Sequence, residues 1–185
     1  MQAMNTETNH VMPQKRYRSL WPYVGIFIFI MLSVLIWGVI LNGFLAENKM
    51  LFDKYYSPEI SFIGLKTDDQ TNHQRLGEGL SCFAKGNYQD ALHIFDQFPD
   101  DPLAMLCRSL SLIELGQAGL AIRDLDVLAK DTANVYHDQA KWYRALLHLK
   151  LNQPAQTKML LENIAADHGI YKTKALKLLE ELETD

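Results

Sequence analysis

The chain has few cysteines, and their placement excludes the frameworks that cysteines usually build. Cys82 and Cys107 are the only two among 185 residues. They form neither a disulfide-rich pattern nor the spacing of metal ligands. Each is therefore expected to fill a small buried site on a helix. A Cys82–Cys107 bond stays open as an alternative, because an oxidising compartment would permit it.

The sequence also lacks the motifs that carry catalysis. Its six histidines never form an HExxH pair, and it has neither a GxSxG nucleophile elbow nor a phosphate-binding glycine loop. Gly77 and Gly79 lie on a predicted helix, without the preceding strand that a dinucleotide site needs. His137 and Asp138 are adjacent and would point to different sides of a helix. We therefore predict a non-enzymatic protein with no catalytic residues, no cofactor and no metal site.

Clustered positive charge is scarce as well. Beyond residue 46 the chain has 15 Lys and Arg against 21 Asp and Glu, a balance of −6. Nucleic acids and anionic lipid surfaces both reward concentrated positive charge. This balance argues against either as a binding partner and leaves other proteins or peptide segments as the expected partners.

Apolar sequence, in contrast, is abundant near the N-terminus. The 28 residues from Ser19 to Ala46 carry no charge, and a bilayer core needs about 20 helical residues. A cleaved signal peptide normally has an apolar region of only about 7–15 residues, and a cut after Ala46 would leave Phe44 at the minus-three position. We therefore predict an uncleaved signal anchor, a transmembrane helix over residues 19–46 that meets the lipid bilayer from Leu20 to Leu45.

Flanking charges predict the orientation of this helix. Lys15, Arg16 and Arg18 precede it, whereas only Lys49 and Lys54 follow it closely. The more positive flank is expected on the cytoplasmic side. This predicts a single-pass protein of the inner (cytoplasmic) membrane, with a short cytoplasmic tail over residues 1–18 and a periplasmic or otherwise extracytoplasmic C-terminal domain.

An aromatic connector is predicted over residues 47–71. Its apolar content is too high for a flexible linker. Pro58 should end any helix that continues from the N-terminal side, because the residue before a proline avoids the helical region. Tyr55 and Tyr56 are expected at the membrane interface, with residues 60–65 packed on the C-terminal domain as an extended segment.

An internal repeat organises the remainder of the chain. A glycine is followed five residues later by alanine and then, after four more, by a large apolar residue. The three copies contain Gly86, Ala91 and Phe95; Gly116, Ala121 and Leu125; and, in degenerate form, Asn152, Thr157 and Leu161. Spacings of 30 and 36 residues are typical of helix-turn-helix solenoids. The glycines, and the asparagine in their place, are expected in the left-handed conformation that ends the first helix of each pair.

These residues resemble the tetratricopeptide repeat family. The run CFAKGNYQDA from Cys82 to Ala91, followed by Phe95, is similar to its consensus, and three copies cover about residues 72–165. Copy two departs from the pattern with Ala118 where an aromatic residue is expected. The overall layout also resembles small single-span proteins of bacterial envelopes, particularly those of Bacteroidetes.

The resulting fold prediction is all-α. One N-terminal transmembrane helix precedes a three-repeat, tetratricopeptide-like solenoid of helical hairpins over residues 72–185. An amphipathic helix over residues 170–183 caps the stack.

The resemblance implies that the first helix of each pair lines a concave groove. By repeat position, nine apolar residues would form it: Leu76, Leu80, Phe83, Leu106, Leu110, Ile113, Trp142, Leu146 and Leu149. They could be core between repeats, an open trough for a segment of another protein, or a trough filled by the chain's own residues 51–65.

The main functional hypothesis is a membrane-anchored adaptor or scaffold that binds other proteins. One alternative is a membrane accessory of protein export or folding that holds unfolded clients in the apolar groove. The other is a transmembrane regulator or signalling component. The sequence identifies neither the partner nor the oligomeric state.

Overall fold

A computed structural model describes residues 21–58 and 70–184. Within them the regular structure is entirely α-helical, as predicted. The helices are α1 (Trp21–Tyr55), α2 (Gln70–Ala84), α3 (Tyr88–Phe95), α4 (Pro102–Glu114), α5 (Ala118–Lys130), α6 (His137–Lys150), α7 (Pro154–Ala166) and α8 (Lys172–Glu183). The predicted tail over residues 1–18 and the extended segment over residues 60–65 lie outside the described residues.

The prediction of a transmembrane helix over residues 19–46 is wrong. Among residues 21–58 and 70–184, none of the helices combines the length and the apolar character that crossing a bilayer requires. The apolar run does not end as a separate span at Ala46. It is part of α1, which continues to Tyr55 through charged residues that include Lys49 and Asp53. The predicted orientation and inner-membrane localisation, which rested on that span, stay predictions.

The chain divides into two compact units after Asn42. The first contains the apolar part of α1, where side chains such as Phe29, Trp37 and Val39 are exposed. The second begins at Gly43 and contains the last turns of α1 together with α2 to α8. The segment that the sequence assigned to the start of a connector is therefore helical, and it belongs to the same unit as the repeats.

Three helical hairpins form most of the second unit: α2 with α3, α4 with α5, and α6 with α7. The turn inside each hairpin contains one residue in the left-handed region. The φ angles of Gly86, Gly116 and Asn152 are +79°, +73° and +57°, which confirms the conformation predicted for all three. This conformation is strained for most side chains, and glycine and asparagine adopt it most readily.

The hydrogen bonds of these turns are also equivalent. In the first hairpin the Gly86 N–H donates to the Phe83 carbonyl (2.9 Å), and the following N–H, of Asn87, donates to the Cys82 carbonyl (2.9 Å). The same two bonds recur around Gly116 and around Asn152. This pattern is the Schellman motif, which satisfies the last carbonyl groups of a helix. The degenerate third copy thus keeps the backbone geometry of the other two.

Small and large residues alternate where the paired helices meet. Ala91, Ala121 and Thr157 are fully buried, and so are the large residues one turn later, Phe95, Leu125 and Leu161. The hydroxyl of Thr157 is satisfied because it donates to the Gln153 carbonyl at 3.0 Å. A threonine can therefore replace the alanine of the other copies without leaving a buried polar group unpaired.

Helix boundaries between and after the hairpins follow from local chemistry. The Asp101 carboxylate accepts a hydrogen bond from the Ala104 N–H at 2.9 Å, and Pro102 occupies the first turn of α4. Both residues favour a helix start. At the C-terminus α8 packs against α7, and Ala175 and Leu178 are buried.

Candidate functional site

The last turns of α1 are strongly amphipathic. Asn48, Leu51 and Phe52 are only 5%, 5% and 3% exposed, and Tyr55 and Tyr56 are half-buried. Their spacing of three and four residues places these side chains on one face of the helix. On the opposite face Met50 is 64% exposed. We call residues 48–57, which end in a short extension beyond α1, the docked segment.

The docked segment lies against the first helices of the second and third hairpins and against α8. In the described part of the chain, the residues that contact it through hydrogen bonds, ion pairs or ring contacts include Glu114, Trp142, Tyr143, Lys150, Asn152 and Glu181. We call these six residues the docking face. They come from the end of α4, from α6 and its C-terminal turn, and from α8, so no single repeat forms the site alone.

Aromatic and backbone contacts hold one side of the docked segment. The rings of Phe52 and Tyr56 stack at 4.7 Å, and the Lys150 ammonium lies 4.5 Å from the centroid of Phe52. The ring of Tyr143 meets that of Tyr56 edge to face at 5.9 Å, and its hydroxyl donates to the Ser57 carbonyl at 2.8 Å. Such contacts add specificity to the burial of apolar surface.

A second cluster connects the docked segment with α6 and α8. The ring of Tyr55 meets Trp142 edge to face at 6.2 Å, and Trp142 stacks on Tyr171 at 5.3 Å. The Tyr55 hydroxyl and the Lys54 ammonium both donate to the Glu181 carboxylate, at 2.8 Å and 2.7 Å. Tyr55 and Tyr56 therefore pack on the repeats, where the sequence had suggested a membrane interface.

A part-buried polar contact joins two asparagines. The Asn48 amide donates to the side-chain oxygen of Asn152 at 2.6 Å. Asn152 is the residue that replaces the turn glycine of the other hairpins, Gly86 and Gly116. A glycine in its place could keep the backbone conformation but could not make this bond. The departure of the third copy from the repeat pattern thus supplies a contact to the docked segment.

Burial and hydrogen bonding shift the acidity of the groups around the docked segment. Partial burial, with the hydrogen bond to Glu181, raises the pKa of Tyr55 to about 12. Burial, with the nearby Glu114 carboxylate, raises the pKa of Tyr56 above its usual range. Hydrogen bonds from Lys54 and Tyr55 lower the pKa of Glu181. At neutral pH these tyrosines are therefore neutral donors and Glu181 is an ionised acceptor.

The predicted groove residues are nearly all inaccessible. Eight of the nine are buried, and Leu80 is half-buried. The polar and aromatic residues that contact the docked segment, such as Glu114, Asn152 and Glu181, were not in the predicted set; only Trp142 belongs to both. Assignment of the nine residues to a partner groove stays a prediction.

The arrangement of metal-ligating side chains and of the two thiols bears on the predictions made from the sequence. Within the described ranges, no group of three or more His, Cys, Asp or Glu side chains could hold a metal ion. Cys82 and Cys107 are both free thiols, so the alternative of a bond between them is not realised. Burial raises the pKa of Cys107 well above its usual range, which makes this thiol a poor nucleophile at neutral pH.

No protein-family model, curated protein or solved structure matches this chain. The tetratricopeptide assignment therefore stays a prediction, and the functional argument rests on the docked segment and the docking face.

Proposed function

We propose that this chain is a non-catalytic protein-interaction adaptor whose helical repeats bind an amphipathic helix. The observation that carries the proposal is the docked segment. A surface that already accepts the face formed by Asn48, Phe52 and Tyr56 has the shape and chemistry that helix-in-groove recognition requires.

The composition of the docking face supports this proposal. Tyr143 and Trp142 present aromatic surface, while the carboxylates of Glu114 and Glu181 accept hydrogen bonds at its edges. Binding sites between proteins commonly combine an aromatic centre with a polar rim. We infer in addition that the three hairpins are of the tetratricopeptide type, on the strength of the repeated Schellman turns and the repeat pattern.

Photo-crosslinking in cells tests the adaptor role. A photoreactive amino acid replaces Glu114, at the edge of the docking face, and in a matched control it replaces Glu162, an exposed residue of α7. We expect Glu114 to capture one or a few defined proteins through a helical segment, and the purified segment to bind the purified chain. Equal capture from both positions, or capture of a broad set of unfolded proteins from Glu114, would count against an adaptor.

A further inference from the structure

The docked segment presents a defined recognition pattern. The buried or half-buried side chains on its inner face begin with asparagine, continue with leucine and phenylalanine three and four positions later, and end with two tyrosines seven and eight positions later. Each polar member of this pattern meets a polar acceptor, namely the side chains of Asn152, Glu181 and Glu114. A helix with apolar residues alone would leave the part-buried Asn152 oxygen without this donor, at a cost in binding, whereas water can replace the lost bond at the exposed Glu114 carboxylate.

Asn152 gives the docking face a feature that the other hairpin turns lack. Its side-chain oxygen accepts a part-buried hydrogen bond from the Asn48 amide, where Asn48 is 5% exposed and Asn152 is half-buried. A polar pair that is shielded from water on one side contributes more to selectivity than to affinity, because an apolar replacement of one partner removes a hydrogen bond from the other. The pair therefore distinguishes a matching helix from other amphipathic helices.

We propose that the docking face is a selective site for one amphipathic helix of this asparagine–aromatic pattern. Residues 48–57 occupy the site in cis, and a helix of the same pattern from another protein binds by replacing them. This inference rests on the proposed function and adds to it the chemistry of the partner and the regulation of the site. Only chains in which the docked segment is released can bind the partner. The apparent affinity is therefore the intrinsic affinity multiplied by the fraction of released chains.

The probe is a fluorescently labelled peptide with the sequence of residues 43–58, titrated with full-length chains in a non-ionic detergent and followed by anisotropy. Phe52→Ala weakens docking in cis, because Phe52 is 3% exposed, whereas Met50→Ala alters the exposed face. We expect the Phe52→Ala chain to bind the peptide at least about tenfold more tightly than the wild-type chain. The Met50→Ala chain should resemble the wild type.

Selectivity is tested by a double-mutant cycle on the Phe52→Ala chain. Asn152→Gly restores the residue found in the other two turns and suits the local φ of +57°, so the fold should be retained. Replacing Asn48 by Ala in the peptide should weaken binding about tenfold when Asn152 is present and have little effect after Asn152→Gly. An equal loss on both chains would refute the role of the asparagine pair.

The remaining outcomes separate the two proposals. Equal peptide affinity for the wild-type and Phe52→Ala chains overturns occupancy in cis but leaves the adaptor role, which the crosslinks from Glu114 test independently. Absence of binding to every chain overturns the site itself. If the Phe52→Ala chain does not fold, the wild-type chain is tested with excess unlabelled peptide. The peptide should accelerate amide exchange of residues 52–56 by displacing them, and unchanged exchange would refute displacement. A dimeric molar mass in light scattering that falls to that of the monomer when the docked segment is blocked by peptide would also refute occupancy in cis, because the segment would then dock on a second copy.

Discussion

Truncation of Phe52 should release the docked segment while leaving the helical repeats intact. Phe52 is 3% exposed and stacks on Tyr56, and the Lys150 ammonium lies over its ring. Burial of Leu51 and Phe52 contributes about 3–6 kcal/mol together, at about 1.5–3 kcal/mol per side chain. Phe→Ala substitutions in cores cost about 3–5 kcal/mol. We expect the lower end of that range, because release of the segment limits the loss.

Amide hydrogen exchange measures this change locally. A loss of about 3 kcal/mol raises the released fraction about a hundredfold, since each 1.4 kcal/mol is a factor of ten. Exchange at residues 52–56 of the Phe52→Ala chain should accelerate by that factor. Amides in the middle of α4 and α5 should change little, because their burial does not depend on Phe52 and local opening is independent of global unfolding.

Met50→Ala is the matched control, because Met50 lies two residues away and is 64% exposed. Surface substitutions of this kind usually change stability by less than about 0.5 kcal/mol. If Phe52→Ala accelerates exchange no more than Met50→Ala does, then Phe52 does not hold the segment. If α4 and α5 exchange as fast as residues 52–56, the segment is part of a single cooperative core and does not dock separately.

Three further predictions concern the hairpins, the thiols and the edge of the docking face. Gly79→Ala should lower the free energy of unfolding in urea by about 1–3 kcal/mol, because the new Cβ would lie 2.7 Å from the ring of Phe95. Gly119→Ala is the control and should not lower it in this way, because its Cβ would meet no atom within 4 Å. A thiol reagent should modify the half-buried Cys82 and leave the buried Cys107 unmodified until the chain unfolds, and equal rates would contradict this burial. The lowered pKa of Glu181 means that its stabilisation is complete above about pH 4.5 and is lost as the pH falls through the folded-state value. The urea midpoint of the wild type should therefore fall more on acidification than that of Glu181→Gln, and equal falls would refute the contribution.

The hairpins could be predicted because their turns depend on local chemistry. Gly86 and Gly116 satisfy a steric requirement that few other residues meet, and the apolar residues at helical spacing need only a neighbouring helix to cover them.

One recurring feature of the hairpins was not predicted. Small residues stand seven positions before each turn residue, at Gly79, Ser109 and Ala145. At Gly79 the ring of Phe95 occupies the space of a side chain, and the repetition of small residues could have indicated this close approach.

The packing of the last turns of α1 could not be predicted, because a run without charged residues identifies an apolar segment but not what a helix packs against. The charge-free run ends at Ala46, and the sequence therefore predicts a connector from residue 47. A signal was nevertheless present, since Asn48, Leu51, Phe52 and Tyr55 have helical spacing within the predicted connector, directly after Ala46. What they contact depends on residues about a hundred positions later, such as Asn152, and no local pattern contains that information.

Zero-length crosslinking tests most directly whether residues 48–57 lie on the docking face of their own chain. A carbodiimide joins an amine to a carboxylate only when the two are in contact, and the Lys54 ammonium lies 2.7 Å from the Glu181 carboxylate. The contact between Lys158 and Glu183, at 2.8 Å, joins α7 to α8 and is an internal positive control. Mixing isotopically light and heavy chains distinguishes bonds within one chain from bonds between two copies.

We expect mass spectrometry of the full-length chain to detect an amide bond between Lys54 and Glu181 within single chains, together with the control bond. Recovery of the control bond alone, or a Lys54–Glu181 bond that forms only between light and heavy chains, would contradict docking of this segment in cis.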